Sequence, residues 1–113
     1  MNYLFVCTYN INRSVAAADI FRNLLKKHKL KCNVKSAGIS ETAKTRVTKE
    51  LINWADKIYV MEGLHKDYLI RINPNAANKI EVLGIEDLYP VNDPELTRLL
   101  KEKLENELRN TGN

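Results

Sequence analysis

A chain of 113 residues with 44% hydrophobic and 28% charged residues is large and apolar enough to form a packed core, which excludes an intrinsically disordered protein. Its formal net charge of +4 favours anionic partners only mildly, and its basic residues are scattered or lie on predicted helix faces, so a nucleic-acid-binding protein is not indicated. The two cysteines lack the spacing of a disulfide framework or a metal site, and we expect one cytoplasmic domain over residues 1–113.

The N-terminal part of the sequence predicts a strand, a helix and a second strand. The apolar run at residues 3–7 is typical of a strand buried on both faces. Neither a basic leader nor a long apolar segment precedes it, so we expect neither secretion nor a membrane span. Apolar residues recur at helical spacing from Arg13 until the basic residues at 26–29, which predicts a helix, and residues 32–38 predict the next strand.

The rest of the chain continues the alternation of helices and strands. Asp93 and Pro94 are an N-cap residue and a first helical residue of the favoured types, and they predict the start of the last helix. The predicted elements are a helix from Thr48 to about Ala55, a strand at 57–61, a helix at 64–72, a loop at 73–78, a strand at 79–85, a loop at 86–92 and a helix from Asp93 to about Leu108.

This alternation predicts an α/β fold with three layers, in which a small four-stranded parallel sheet carries helices on both faces. Ligands of such sheets bind at the carboxyl ends of the strands, near the point where the strand order reverses. We therefore expect the loop after Cys7, the loop after Ser36 and the loop that holds Asp87 to meet at one edge of the sheet.

The segment at residues 7–14, CTYNINRS, joins the first strand to the first helix. Backbone N–H groups and the positive end of the helix dipole converge at such a junction and make a cradle for an anion. Arg13 can add a planar fork of donors for two phosphate oxygens. The same positive field favours the thiolate form of Cys7, and Ser14 is placed to donate a hydrogen bond to it. Asn10 tolerates the left-handed backbone angles that curl a loop inward.

These residues resemble a known family, the low-molecular-weight protein tyrosine phosphatases in their short bacterial form. VCTYNINRS at 6–14 is similar to the phosphate loop of that family, which lies between the first strand and the first helix. The resemblance continues in matching order through SAG at 36–38, YVM followed by Glu62, and EDLYP at 86–90. It covers nearly the whole chain.

The resemblance implies a phosphatase that hydrolyses a phosphotyrosine-containing protein or a small aryl phosphate through a phosphocysteine intermediate. It implies release of inorganic phosphate, no metal and no cofactor, and a monomer or weak dimer that acts away from membranes. Cys7 would be the nucleophile, Arg13 the phosphate clamp and Asp87 the general acid. The residues implied to bind phosphate or line the entrance are Thr8, Tyr9, Asn10, Ile11, Asn12, Ser14 and Tyr89.

The chemistry of the residues also favours Asp87 as the acid. A phenolate is a poor leaving group at neutral pH, and a positioned carboxylic acid typically accelerates its departure by about 10² to 10⁴. Asp93 has a competing task as a helix N-cap, and Glu86 points to the opposite face if the strand continues. Asp87 is the remaining acid of that loop.

Departures from the family pattern keep two alternatives open. Asn12 stands where the family often has a second cysteine, and Tyr9 stands where it usually has glycine, so Tyr9 would narrow the pocket mouth. One alternative is an arsenate reductase on the same scaffold, for which Cys32 alone is a poor thiol relay. The other is a non-catalytic module that binds phosphate.

We expect several other reactive or aromatic residues to have structural roles. Cys32 is predicted to be structural, Trp54 to lie in the core, and residues 36–38 to form a tight turn that does not touch substrate. His28 and His65 are predicted to be solvated helix residues, because neither falls in a converging loop.

Overall fold

The first strand lies in the middle of the sheet and organises the fold. The computed structural model describes residues 1–111 and confirms the α/β architecture with three layers. In chain order its elements are β1 (Asn2–Cys7), α1 (Arg13–Lys27), β2 (Asn33–Gly38), α2 (Lys49–Trp54), β3 (Lys57–Val60), α3 (Gly63–Ile72), a 3₁₀ helix (Pro74–Lys79), β4 (Ile80–Val82) and α4 (Pro94–Thr111).

The four strands are parallel and have the order β2-β1-β3-β4. From β1 the chain passes to β2 on one side and later to β3 on the other, so the strand order reverses beside β1. Cys7 ends β1 opposite Gly38 of β2. The predicted nucleophile therefore lies at the carboxyl end of the strand where such folds bind their ligands.

Alternating side chains of β1 enter two separate cores. On one face of the sheet Tyr3 and Phe5 pack against Phe21 of α1, and the leucines of α4 complete this core. On the other face Leu4 and Val6 pack with residues of α2 and α3. Because successive strand residues point to opposite faces, one continuous apolar run fills both cores.

The last helix, α4, covers the same face of the sheet as α1. It begins where the sequence predicts, because the Asp93 carboxylate accepts a hydrogen bond from the Glu95 N–H at 2.7 Å. It extends beyond the predicted end at Leu108 to Thr111. Its buried stripe consists of leucines spaced four residues apart, Leu96, Leu100, Leu104 and Leu108.

Some predicted boundaries are wrong, for local backbone reasons. Residues 73–78, predicted as a loop, lie largely in the 3₁₀ helix, which Pro74 can open because a first helical residue needs no N–H. The last strand stops at Val82 because Gly84 follows with a left-handed φ of 75°. Residues 36–38 are the end of β2 and not a tight turn.

Two residues predicted to be structural lie away from the carboxyl edge. Trp54 is half-buried against the core on the α2 and α3 face, and Lys35 Nζ lies 4.4 Å from the centroid of its ring. Cys32 directly precedes β2 and is half-buried against the α1 side. Within residues 1–111 no helix is long and apolar enough to cross a membrane.

Candidate active site

The loop between β1 and α1 curls around the Cys7 sulfur. Cys7 is only 3% exposed, and the backbone N–H of Asn10 donates a hydrogen bond to its Sγ at 3.3 Å. Asn10 turns the chain inward with a left-handed φ of 55°, which asparagine tolerates better than most residues. Ser14 Oγ lies 3.0 Å from the same sulfur. The residues of the predicted cradle therefore surround the thiol.

The Asn10 side chain orients the Ser14 hydroxyl. Asn10 Nδ2 donates to Ser14 Oγ and to Ser36 Oγ, each at 2.9 Å. Because Ser14 Oγ accepts this hydrogen bond, its own hydrogen is available to Cys7 Sγ. The Asn10 backbone N–H and the Ser14 hydroxyl are then two donors directed at the sulfur.

The N-terminus of α1 is left open for an anion. Asn12, the residue before the helix, makes no capping hydrogen bond with its side chain, and the first turn contains no acidic residue. The positive end of the helix dipole at that turn is therefore not neutralised by an acidic side chain of the turn, and its N–H groups can bind an external anion. The Asn12 side chain instead donates to the Tyr89 carbonyl oxygen at 2.8 Å.

Arg13, the first residue of α1, is held rigidly although it carries a full charge. Its side chain is 4% exposed, and Nη1 donates to Glu62 Oε1 at 2.9 Å and to the Ile85 carbonyl oxygen at 2.7 Å. These bonds occupy Nη1, so Nε and Nη2 remain as a two-donor edge of the kind that binds oxyanions. Asp87 Oδ1 lies 3.9 Å from Nε.

Close packing of the loop against β2 requires glycine at position 38. A Cβ atom added to Gly38 would lie 2.5 Å from the Thr8 carbonyl oxygen and 2.9 Å from the Asn10 nitrogen. These separations are shorter than van der Waals contact, so no other residue fits without moving the loop. The SAG segment thus supports the cradle from the neighbouring strand.

The loop between β4 and α4 brings Asp87 to the same edge. The Asp87 side chain is 66% exposed, whereas Tyr89 is half-buried and packs partly against the core on the α1 face. The hydrogen bond from Asn12 to the Tyr89 backbone links this loop to the loop between β1 and α1, the predicted phosphate loop. Of the competing acids, Asp93 caps α4 as the sequence predicts and Glu86 is exposed.

Exposed apolar side chains lie on the two loops beside the thiol. In the phosphate loop Tyr9 is 49% exposed and Ile11 is 60% exposed. In the loop after β4, Leu88 is 71% exposed and Val91 is 58% exposed. We call these four residues the apolar rim. Exposed apolar groups gathered in one region often mark a binding surface.

The prediction for His65 is wrong. His65 is completely buried, and its Nε2 lies 3.0 Å from Thr8 Oγ1. Burial, followed by the nearby positive charge of Arg13, lowers the pKa of His65 from 6.5 to about 4. The missed signal was its place in the first turn of a helix that directly follows the carboxyl end of a central strand. His28, in contrast, is exposed as predicted.

Among the described residues no group of three or more histidine, cysteine, aspartate or glutamate side chains could hold a metal ion. Arg13, Glu62 and Asp87 place opposite charges close together at the carboxyl edge. This edge can therefore hold an oxyanion between N–H groups and a guanidinium, next to a thiol and a carboxyl group.

Sequence comparison relates this site to a phosphatase family. The sequence model described as low molecular weight phosphotyrosine protein phosphatase matches residues 2–57, which include the whole phosphate loop. No curated protein matches the chain by sequence.

Solved structures with a similar fold cover nearly the whole chain. The tyrosine phosphatase Wzb from Escherichia coli K30, in complex with phosphate, is 26% identical with a TM-score of 0.81, and 98% of each chain is covered. A YwlE mutant from Bacillus subtilis is 21% identical with a TM-score of 0.84, covering 100% of this chain and 99% of its own. Another structure, of a YwlE arginine phosphatase mutant with a phosphorylated active-site serine, is 23% identical with a TM-score of 0.78, covering 98% and 97%. At these identities the YwlE structures share the fold.

Proposed function

Because the chain belongs to the low molecular weight phosphotyrosine protein phosphatase family and is a cysteine-based phosphatase, we propose that it hydrolyses aryl phosphate monoesters, phosphotyrosine above all. The reaction proceeds through a phosphocysteine intermediate on Cys7. The observation that carries this proposal is the pair of donors, Asn10 N–H and Ser14 O–H, directed at a buried sulfur in the cradle.

In the first step the Cys7 thiolate attacks phosphorus and the bond from phosphorus to the phenolic oxygen breaks. Asp87, in its carboxylic acid form, gives its proton to the departing oxygen, and the phenol leaves neutral. The loop N–H groups and the free edge of Arg13 hold the three equatorial oxygens, where negative charge is concentrated.

In the second step water displaces sulfur from phosphorus. Asp87, now a carboxylate, takes a proton from the water while the water oxygen bonds to phosphorus, and inorganic phosphate forms. Cys7 leaves as a thiolate, which Ser14 stabilises by its hydrogen bond. The cycle returns each group to its starting state without a metal, because Arg13 and the N–H groups supply the positive charge.

The apolar rim supports an aromatic substrate. The two loops that meet at the cradle carry exposed apolar side chains suited to a phenyl ring, Tyr9 and Ile11 on one loop and Leu88 and Val91 on the other. YwlE, described as an arginine phosphatase, indicates that a guanidinium phosphate is the competing substrate of this fold. A guanidinium is polar and cationic, so contact with the apolar rim stabilises it less than it stabilises a phenyl ring.

The position of Cys32 disfavours an arsenate reductase. Cys32 precedes the first residue of β2, whereas the last residue of β2, Gly38, lies opposite Cys7. At about 3.3 Å per strand residue the two cysteines are roughly 20 Å apart. A disulfide needs Cα atoms within about 7 Å, so Cys32 cannot relay oxidation from Cys7.

Hydrolysis of matched peptides tests the substrate class. We expect the purified protein to hydrolyse a phosphotyrosine peptide with a kcat/KM well above those for the same peptide carrying phosphoserine or phosphoarginine, and a chelator to leave the rate unchanged. The Cys7→Ser variant should lose turnover and still bind phosphate. Preference for the phosphoarginine peptide would reject the aryl phosphate assignment. A Cys7→Ser variant that hydrolyses the phosphotyrosine peptide as fast as the wild type would reject the mechanism.

A further inference from the structure

We propose that His65 is a positioning residue for the phosphate loop, acting through a hydrogen bond to Thr8. This inference rests on the proposed function for its kinetic readout. His65 is the only completely buried histidine among the described residues, and it touches the loop at the residue that follows the nucleophile. The proposed mechanism gives it no proton to transfer.

The partners of His65 determine which ring nitrogen carries the hydrogen. The Glu62 backbone N–H donates to His65 Nδ1 at 3.0 Å, and a backbone N–H can only donate. Nδ1 is therefore an acceptor, and the hydrogen of the neutral ring is on Nε2. It follows that Nε2 donates to Thr8 Oγ1 at 3.0 Å.

The start of α3 contacts both ends of the phosphate loop, through His65 in its first turn and through Glu62, the residue before the helix. His65 holds the start of the loop at Thr8, and the Glu62 carboxylate holds its end at Arg13, with a distance of 2.9 Å to Nη1. The two are joined to each other, because the Glu62 backbone bonds the His65 ring. We call this connected set, Thr8, His65, Glu62 and Arg13, the brace.

The brace fixes the loop where its shape affects catalysis most. The N–H groups of the loop stabilise the transition state only if they point at the equatorial oxygens, and misplacement of a positioned group by about 1 Å can cost 10²-fold in rate. Thr8 is adjacent to Cys7, so a rotation at Thr8 moves both the sulfur and the first N–H groups. A bond from a buried and rigid imidazole restricts that rotation.

Two complementary variants separate this role from general stability. His65→Asn keeps an oxygen that can accept from the Glu62 N–H and removes the donor to Thr8. Thr8→Val keeps the shape of the side chain and removes the acceptor. Because this variant retains His65, it tests the same hydrogen bond even if His65→Asn fails to fold. Thr8→Ser keeps the hydroxyl. His28→Asn, a change at the exposed histidine, is the matched control.

The measurements are kcat/KM for a phosphotyrosine peptide, the Kd of vanadate and the unfolding midpoint. We expect Thr8→Val and His65→Asn each to lower kcat/KM by roughly tenfold to a hundredfold and to weaken vanadate in parallel, while both remain folded at the assay temperature. The kcat/KM of the double variant should be no lower than that of the more impaired single variant, because both substitutions remove the same hydrogen bond. Thr8→Ser should recover most of the loss, and His28→Asn should match the wild type.

Some outcomes overturn the inference. If folded Thr8→Val keeps the wild-type kcat/KM and vanadate Kd, or if the losses multiply in the double variant, the bond from His65 to Thr8 does not position the loop. If the wild-type chain binds vanadate and hydrolyses no ester, the proposed function fails, and the vanadate comparison alone still tests the brace.

Discussion

Cys7, Arg13 and Asp87 have unequal surroundings, and this difference fits their proposed tasks. Cys7 and Arg13 are each 3% exposed. The Cys7 sulfur accepts a hydrogen bond from the Asn10 N–H, and Arg13 donates to Glu62 and to the Ile85 carbonyl oxygen. The Asp87 side chain is 66% exposed and touches the site through its 3.9 Å approach to Arg13. The groups proposed to receive phosphate are thus rigid, while the proposed acid lies on an exposed loop.

Removal of the acid should affect poor leaving groups most. In Asp87→Asn we expect kcat/KM for phenyl phosphate to fall by about 10² or more and that for para-nitrophenyl phosphate to fall much less, because nitrophenolate leaves without a proton. Steady-state kinetics with both esters measures the difference. Glu86→Gln, one residue away and exposed, is the control. Equal losses for the two esters, or the same pattern in Glu86→Gln, would remove Asp87 from the role of acid.

At the scale of elements, the approach of β2 to the phosphate loop gives a stability prediction. In Gly38→Ala the added Cβ meets the Thr8 carbonyl oxygen at 2.5 Å, and neither backbone can yield without disturbing the sheet or the cradle. We expect a loss of about 2 to 3 kcal/mol in the free energy of unfolding, within the range for overpacked cores, together with weaker phosphate binding.

Gly63→Ala is the matched control for this prediction. Gly63 opens α3, and an added Cβ there has no atom within 4 Å. Alanine should therefore leave stability unchanged or raise it by about 0.5 to 1 kcal/mol, because it restricts the unfolded chain. Urea unfolding compares the two variants. Equal stability of Gly38→Ala and the wild type would show that the loop can move away from β2.

The elements were predictable where local pattern decides them. The apolar run of β1 predicts a buried strand, the Asp93-Pro94 pair predicts the start of α4, and the strand-to-helix junction predicts a cradle around Cys7. The end of β4 was missed because a single left-handed residue, Gly84, stops the strand. The burial of His65 was missed because it depends on how α3 lies against a loop distant in sequence.

At the scale of the whole molecule, α4 is joined to the sheet by a charged cluster as well as by its leucines. Lys57 Nζ lies 3.4 Å from Glu81 Oε1. Burial, followed by the neighbouring Glu81, raises the pKa of Glu107 on α4 from 4.5 to about 7. The folded chain then keeps a proton that the unfolded chain releases between about pH 4.5 and 7. The contribution of Glu107 to stability therefore falls as the pH rises through that window, and this loss is complete above it.

The raised pKa of Glu107 predicts that removing its carboxylate increases the free energy of unfolding, by an amount that depends on pH. Glu107→Gln, which is neutral at all pH values, should be more stable than the wild type at pH 8.5, and the advantage should shrink or vanish at pH 4.5. Urea unfolding at both pH values measures it, with Glu105→Gln on the same helix controlling for the loss of one negative charge. A Glu107→Gln advantage that is larger at pH 4.5 would contradict the linkage.

In the proposed mechanism Cys7 carries the phosphoryl group between the two chemical steps. Rapid quenching during turnover of a phosphotyrosine peptide, followed by mass spectrometry of the digested protein, tests it most directly. We predict one phosphoryl group on the peptide that contains Cys7, at an occupancy that rises to a steady level within the first turnover, and none in Cys7→Ala. Steady hydrolysis by the wild type with no phosphoryl group on Cys7 would contradict this role of Cys7. So would undiminished hydrolysis by Cys7→Ala.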